Sequence, residues 1–552
     1  MTVTSMENAL FEKPIATQEP LYSTHAFLFP FEWTYQKTKS QLLEDQTDLL
    51  RIEQLMALDS SRWERRASWL QPQSLVQFNE LVYFYEFVRP VLYDSGKDDS
   101  LQRHYYFKAP AESFEYVIEL NNGKTYRLDI DDIVVSFFNT GVGVLAFHLL
   151  NKDQKQSAPQ DILNINAFGR RVYPPFLQTQ KDLIGQQAFF EDNNWLAGLQ
   201  GTQKANQMAK SIRLEANAKP WIVEDFLSWV VNQNPEREPE LIQQLLPIPL
   251  REEVQFAPVL DDRMFTVCWY GNKALTEYIK GKDFEQDFKT NPWWYRYLFV
   301  DSGDATCPNL AMRHRLLEEA TNARWANYGT FYGISRYSFV TLTDEMSVSY
   351  EGFAKIICSH VQTMYYKVSL LGLVQRACLL RFSQEITAIS QLPKKDPNIG
   401  ARVSSLFKQY IRFVNKIYFR EVTAQEQGIE LYDILQSQMR LEKQVKDLEH
   451  EIQELHGYVS MLEEEQRNDK LDVLTYIGAL FVVPSFIGTY FGVNNFKIAE
   501  HWLGLSLLSL TSAILALAVV RGNRKMRIIW LIILAILMVY TLIIYPINKF
   551  EQ

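Results

Sequence analysis

The residues whose types and spacing can do chemistry gather near the end of the chain. Thr475, Gly478, Val482, Ser485, Thr489 and Gly492 recur in steps of three and four, and Gly488, Val493 and Asn494 lie among or just beyond them. On a helix this spacing forms one stripe. Small side chains in such a stripe let helix backbones approach closely. Alternatively, Ser and Thr hydroxyls with a terminal carboxamide can meet ions in a water-filled path. The pattern alone leaves both open. A second group comprises Arg324, Trp325, Tyr328, Arg336 and Tyr337. Arginine grips phosphate bidentately and aromatic rings stack on planar or cationic ligands. The same residues would also serve as a helix cap and as a strand whose aromatics fill a core. Arg103-His104-Tyr105-Tyr106 and Arg170-Arg171 are weaker versions of the same idea.

Enzyme chemistry finds little to work with. There is no Walker A sequence, no nucleophile elbow and no H-E-x-x-H. Gly141-Val142-Gly143 imitates a dinucleotide fingerprint, but an apolar strand follows where a helix should open. The eight histidines are dispersed, and His450 and His456 read as solvated. No metal-ligand set stands out. Cys268, Cys307, Cys358 and Cys378 form no C-x-x-C pair, which fits reduced thiols in a cytosol. A net charge of −9 over 552 residues argues against a protein that coats nucleic acid.

The stripe belongs to the first of three apolar runs, 471–491, 502–520 and 528–547. Each approaches the roughly 20 residues a helix needs to cross a bilayer. Between the second and third lies Arg521-Gly522-Asn523-Arg524-Lys525-Met526-Arg527, and loops this basic stay cytoplasmic. The long N-terminal part is then expected in the cytosol and the tail outside, in the plasma (inner) membrane. No apolar signal segment opens the chain. Upstream, Leu441, Val445, Leu448, Ile452, Leu455, Val459 and Leu462 alternate steps of four and three, a heptad seam. From Glu426 to Lys470 there are 12 acidic and 5 basic residues, and no proline. The expectation is a stalk helix over 423–470, unbroken from about Thr423 into the first span and roughly 100 Å long at 1.5 Å per residue. Its seam must pack on copies of itself or on helices of its own chain. The stripe is out of register with that seam, which predicts a change of packing partner near Gln466–Lys470. The acids suit either a solvated face or a negative funnel that gathers cations.

Strand signals fill the earlier part. Glu115–Leu120 and Thr125–Ile130 flank Asn121-Asn122-Gly123, a hairpin turn. Val134–Asn139 and Val144–Leu149 read as a pair around Thr140–Gly143, with further strands at Met264–Tyr270 and Phe331–Thr341. Helices are expected over Ser349–Ser390 and Val403–Arg420. The fold class is thus an α+β cytosolic domain (1–345), a helical subdomain (346–422), an acidic coiled-coil stalk (423–470) and a membrane domain of three transmembrane helices (471–547).

Phe486-Ile487-Gly488-Thr489-Tyr490-Phe491-Gly492-Val493-Asn494 resembles the end of the first membrane helix in the CorA family of divalent-cation channels, which closes with Gly-Met-Asn after an aromatic residue. The resemblance covers about Thr423–Val520. It implies a homo-oligomer, a pentamer by family pattern, in which Ser485, Gly488, Thr489, Gly492, Val493 and Asn494 line a pore for divalent cations, magnesium foremost. Val493 in place of Met, a single acid (Glu500) in the outer loop and a third span depart from the family and leave ion choice open. The long cytosolic part, the divergent signature and the third span together resemble the CRISPR-associated CorA-like proteins, and His25–Trp33 and Thr140–Asn151 strengthen the resemblance. That implies a type III antiviral effector gated by a nucleotide messenger such as SAM-AMP, with no direct nucleic-acid contact. The alternatives are a housekeeping magnesium, zinc or cobalt transporter gated by intracellular divalent ions, and a non-conducting membrane-anchored scaffold.

Overall fold

The computed structural model describes residues 20–35, 47–66, 75–97, 100–108, 115–120, 123–171, 209–213, 221–222, 245–259, 263–281, 287–344, 353–393, 396 and 398–493. The chain divides into two compact units, Met1–Leu455 and His456–Gln552.

The first unit is organised by a 13-stranded, mostly antiparallel sheet. Its strands are β1 (Ser23–Tyr35), β2 (Trp63–Arg65), β3 (Gln102–Phe107), β4 (Glu115–Leu120), β5 (Thr125–Phe138), β6 (Val142–Asn151) and β7 (Ala209–Arg213). Then come β8 (Trp221–Ile222), β9 (Val254–Pro258), β10 (Phe265–Gly271), β11 (Thr321–Asn322), β12 (Phe331–Ser335) and β13 (Ser338–Thr343). The main path runs β11-β12-β13-β10-β1-β6-β5-β4-β7-β8, and β10 and β13 are the parallel pair. Strand β1 is central and almost wholly buried, with Phe27, Phe29, Phe31 and Trp33 on one face and Ala26, Leu28 and Pro30 on the other. Pro30 sits where the partner on one edge changes from β10, which ends its pairing at Leu28, to β9, which begins at Phe31. A residue without an amide hydrogen is tolerated in such a gap.

Helices α1 (Leu75–Tyr83), α2 (Pro159–Gly169) and α3 (Pro292–Phe299) fall between strands. After β13 come α4 (Phe353–His360), a π-helical segment (Val361–Tyr365), α5 (Tyr366–Ser390), α6 (Ile399–Lys416), α7 (Glu426–Met439) and α8 (Leu441–Val493). One sheet face packs on α2 and α3. Tyr116 donates its hydroxyl to Gly169 O at 2.7 Å, and Tyr297 donates to Cys268 Sγ at 3.3 Å. Asn291 starts α3 by accepting from the amides of Trp293 and Trp294, with Pro292 at the first turn. The opposite face lies under the π segment and α5. Phe339 stacks on Tyr365 at 5.6 Å between centroids, and the His148 ring meets Tyr366 at 4.4 Å.

Helix α5 is buried around most of its circumference, so its polar side chains carry specific bonds. Gln375 donates to Ile417 O at 2.8 Å and to Tyr432 Oη at 3.0 Å. Arg381 donates to Thr140 O, beside Gly141, whose φ of 74° only glycine adopts without cost. The guanidinium occupies the space a Cβ at Gly141 would need.

The first expected hairpin is present as the antiparallel pair β4 and β5, and the second expected pair continues the same β5 into β6. Two readings are corrected. Phe331–Thr341 is a hairpin, β12 and β13, turning at Arg336-Tyr337, because Ser335 Oγ accepts the Tyr337 amide at 3.2 Å and closes the turn. The stalk is also not unbroken from Thr423. Arg440 takes a left-handed conformation (φ 55°) between α7 and α8, and its amide returns to Gln436 O and Ser437 O. No glycine or proline marks this break.

Candidate functional site

From Leu441 the heptad seam behaves as its spacing requires. Leu441, Val445, Leu448, Ile452, Val459 and Leu462 are buried and Leu455 is half-buried, whereas Glu442, Asp447, Glu449, Glu451 and Glu454 are exposed. At its root the seam meets α6, where the Tyr410 hydroxyl donates to Val445 O at 3.4 Å. The acids form a solvated negative face, and near Glu442 the Lys446 ammonium lowers the carboxyl below its ordinary range.

Helix α8 extends as backbone through Ser485, Gly488, Thr489 and Gly492 to Val493, and the side chains of this stretch lie outside the description. Asn494 and the second and third apolar runs lie outside the described residues. Among the described residues, no helix is long and apolar enough to cross a membrane. Nor do any three His, Cys, Asp or Glu residues among them approach closely enough to hold a metal ion.

Helix α7 is the link between the sheet and α8, and it is gripped on two sides. Leu431, Leu435 and Met439 are buried, and Gly372 of α5 admits Leu435 so closely that an added Cβ would lie 2.6 Å from Leu435 Cδ2. The other side is polar. Arg324 donates through Nε to both Glu430 oxygens at 3.1 Å, and Asn322 donates to Glu430 Oε2 at 2.7 Å. This pairing lowers the Glu430 carboxyl below its usual range. Trp325 Nε1 donates to Gln427 Oε1 at 3.0 Å, and Arg336 Nε to Gln438 O at 3.4 Å. Tyr328 is 67% exposed, with its ring 5.9 Å from that of Trp325. Tyr337 lies between two cations, 5.2 Å from the Arg376 guanidinium and 5.9 Å from that of Arg263.

Three of the five aromatic and basic candidates therefore sit along α7. Arg324, Trp325 and Arg336 are engaged with that helix. Their spacing carries no sign of this, because their partners are about a hundred residues away. Arg103 is fully buried and bonded to Glu53 at 3.1 Å, and Arg170 Nη2 donates to Val300 O at 3.2 Å. Both belong to the core of the sheet domain. His104 is likewise internal, with Nδ1 and Ser136 Oγ 2.6 Å apart.

A third group went unnoticed in the sequence. Thr24, Trp269, Thr341 and Tyr332 are successive cross-strand partners on β1, β10, β13 and β12, so they share one face of the sheet. Burial pushes the Tyr332 phenol up to about 12. Threonine and tryptophan read as ordinary strand formers, and only the register brings them into one row.

Neither a curated protein nor a solved structure matches the chain. Residues 398–549, roughly a quarter of the sequence and the part that holds α6, α7, α8 and Gly492-Val493-Asn494, match the family model described as CorA-like Mg2+ transporter protein.

Proposed function

We propose that the chain is one subunit of an oligomeric membrane channel of the CorA kind that conducts divalent cations, magnesium foremost. The observation that carries this reading is the family match over 398–549, which takes in the stalk and all three apolar runs. Copies of the segment ending at Asn494 surround the passage. A carboxamide ring suits a hydrated ion, because magnesium gives up its water reluctantly. The sheet domain is cytosolic and acts on α8 through α7, whose polar side it holds through Asn322, Arg324 and Trp325. A gating ligand must bind closed and open states unequally, since equal affinity shifts nothing. The finer reading is an antiviral effector of type III CRISPR systems answering a nucleotide messenger such as SAM-AMP; it rests on the resemblance carried by the long N-terminal part, Val493 in the Gly492-Val493-Asn494 signature and the third apolar run, and a five-fold assembly on the CorA resemblance.

The test is magnesium flux into liposomes carrying the purified full-length protein. Asn494→Ala is expected to change flux at least tenfold, while a conservative change on the exposed stalk, Glu451→Gln, leaves it within twofold. Equal flux in wild type and Asn494→Ala would assign the stripe to helix packing, and no flux from any form would make the chain a scaffold.

A further inference from the structure

Helix α7 is held by two kinds of contact. One is interior. Leu431, Leu435 and Met439 are fully buried, and Gly428 seats the helix so closely on Tyr83 that no Cβ would fit there. Tyr432 and Gln436 both donate to Phe419 O at 2.8 Å. The other contact is a strap. Residues 322–328, between β11 and β12, bond Glu430 through Asn322 and Arg324, and Gln427 through Trp325. Arg324 Nη2 also lies 3.7 Å from Glu426 Oε2. These groups reach water, for the side chains of Arg324 and Glu430 are each 36% exposed and that of Glu426 is 80% exposed.

The two contacts respond differently to the solution. Burial of apolar side chains does not depend on charge, and salt does not screen it. An exposed ion pair contributes little and is screened. The root of the strap is light as well. Strand β11 has two residues at the edge of the sheet, and it pairs with β12 only as Thr321 with Gly333 and Asn322 with Tyr332. Segments with so few contacts open first in a fold. Arg324 also offsets a row of acids. Glu426, Glu430 and Asp433 follow at i, i+4 and i+7 along one flank of α7. Burial, and then Glu421 and Glu430, raise the Asp433 carboxyl above its ordinary range. Withdrawal of Arg324 leaves like charges four residues apart, which is unfavourable on a helix.

We propose that residues 322–328 are a releasable strap, in which the Arg324–Glu430 pair opens and closes over α7 while the interior contacts stay in place. Closed, the strap ties α7 to the edge of the sheet upstream of the left-handed Arg440. Open, it leaves the outer flank of α7 free to move on its seat. That this motion reaches a pore rests on the function proposed above, whereas the strap itself does not.

The experiment is amide hydrogen exchange on the full-length protein in detergent. It is run at about 0.01 M and about 1 M sodium chloride, between which the screening length falls from about 30 Å to about 3 Å. Exchange over residues 322–328 and over Glu426–Met439 is expected to rise at least about threefold with salt, while exchange over α5 stays the same. Arg324→Gln and Glu430→Gln should each show the faster exchange already at low salt, and the double variant should match either single one. Arg324→Lys keeps the charge without the fork and should fall between. Exchange indifferent to salt in the wild type would overturn the proposal, and that arm needs no variant to fold. Additive effects of the two substitutions, or an equal rise in α5, would overturn it too. A salt response with unchanged magnesium flux in Arg324→Gln upholds the strap and removes its link to the pore. No flux from any form sinks the channel alone.

Discussion

Helix α7 rides on α5 through a contact that can be overfilled by one methyl group. In Gly372→Ala the new Cβ would lie 2.6 Å from Leu435 Cδ2 and 3.1 Å from Leu435 Cγ. Comfortable carbon contacts are about 3.5–4.0 Å, so the helices must part by something near 1 Å. Overpacking of this kind costs about 1–3 kcal/mol, and replacing a mid-helix glycine by alanine returns about 1 kcal/mol. The expected net loss is about 1 kcal/mol. Leu435→Ala alone removes a fully buried side chain and should cost about 2–5 kcal/mol. In the double variant the added methyl fills part of the hole, so the combined loss should fall short of the sum by about 1–2 kcal/mol. Urea unfolding of the full-length protein in detergent, followed by tryptophan fluorescence, measures the three values. Amide exchange over Glu426–Met439 should rise in each single variant and return toward wild type in the double. Additivity within about 0.5 kcal/mol, or a gain in stability from Gly372→Ala, would refute the close α5–α7 contact.

Two further outcomes follow from buried groups. His25 is enclosed, with Nδ1 2.7 Å from Asn166 Oδ1, and burial pulls its imidazole down from 6.5 to about 4. The unfolded chain therefore takes up the proton at higher pH. This contribution is full above pH 6.5 and fades as pH falls toward 4, on the order of 3 kcal/mol. Thermal midpoints of His25→Gln should consequently fall less steeply than wild type across that window, and parallel profiles would argue against a buried neutral His25. Gly141→Ala places a methyl group against the Arg381 guanidinium in a left-handed backbone, and should cost about 2–5 kcal/mol. Gly123→Ala, at φ 85° with nothing within 4 Å, should cost only the backbone strain of about 1–2 kcal/mol. Similar midpoints for the two would show that Arg381 does not fill the turn.

Local chemistry made part of this molecule readable. Asn121-Asn122-Gly123 announced the β4–β5 turn, and the alternating four and three steps from Leu441 announced which side of α8 is buried. What escaped was set by distant partners. The Arg336-Tyr337 turn hid inside an apolar run because its closing group is the neighbouring Ser335 rather than a glycine. Arg324 and Trp325 looked like ligand-binding groups because their attachment to Glu430 and Gln427 is tertiary. The polar row through Trp269 and Thr341 was invisible for the same reason, since each strand taken singly is unremarkable.

A continuous α-helix hands torsion from one end to the other, because each turn is bonded to the next. Arg440 interrupts that transmission with one left-handed residue. A twist of α7 about its own axis is therefore not passed on to Leu441 and the turns that follow as it would be along one unbroken helix. Asn322, Arg324 and Trp325 hold α7 on one side of that break, and α6 meets α8 on the other, where Tyr410 bonds Val445 O.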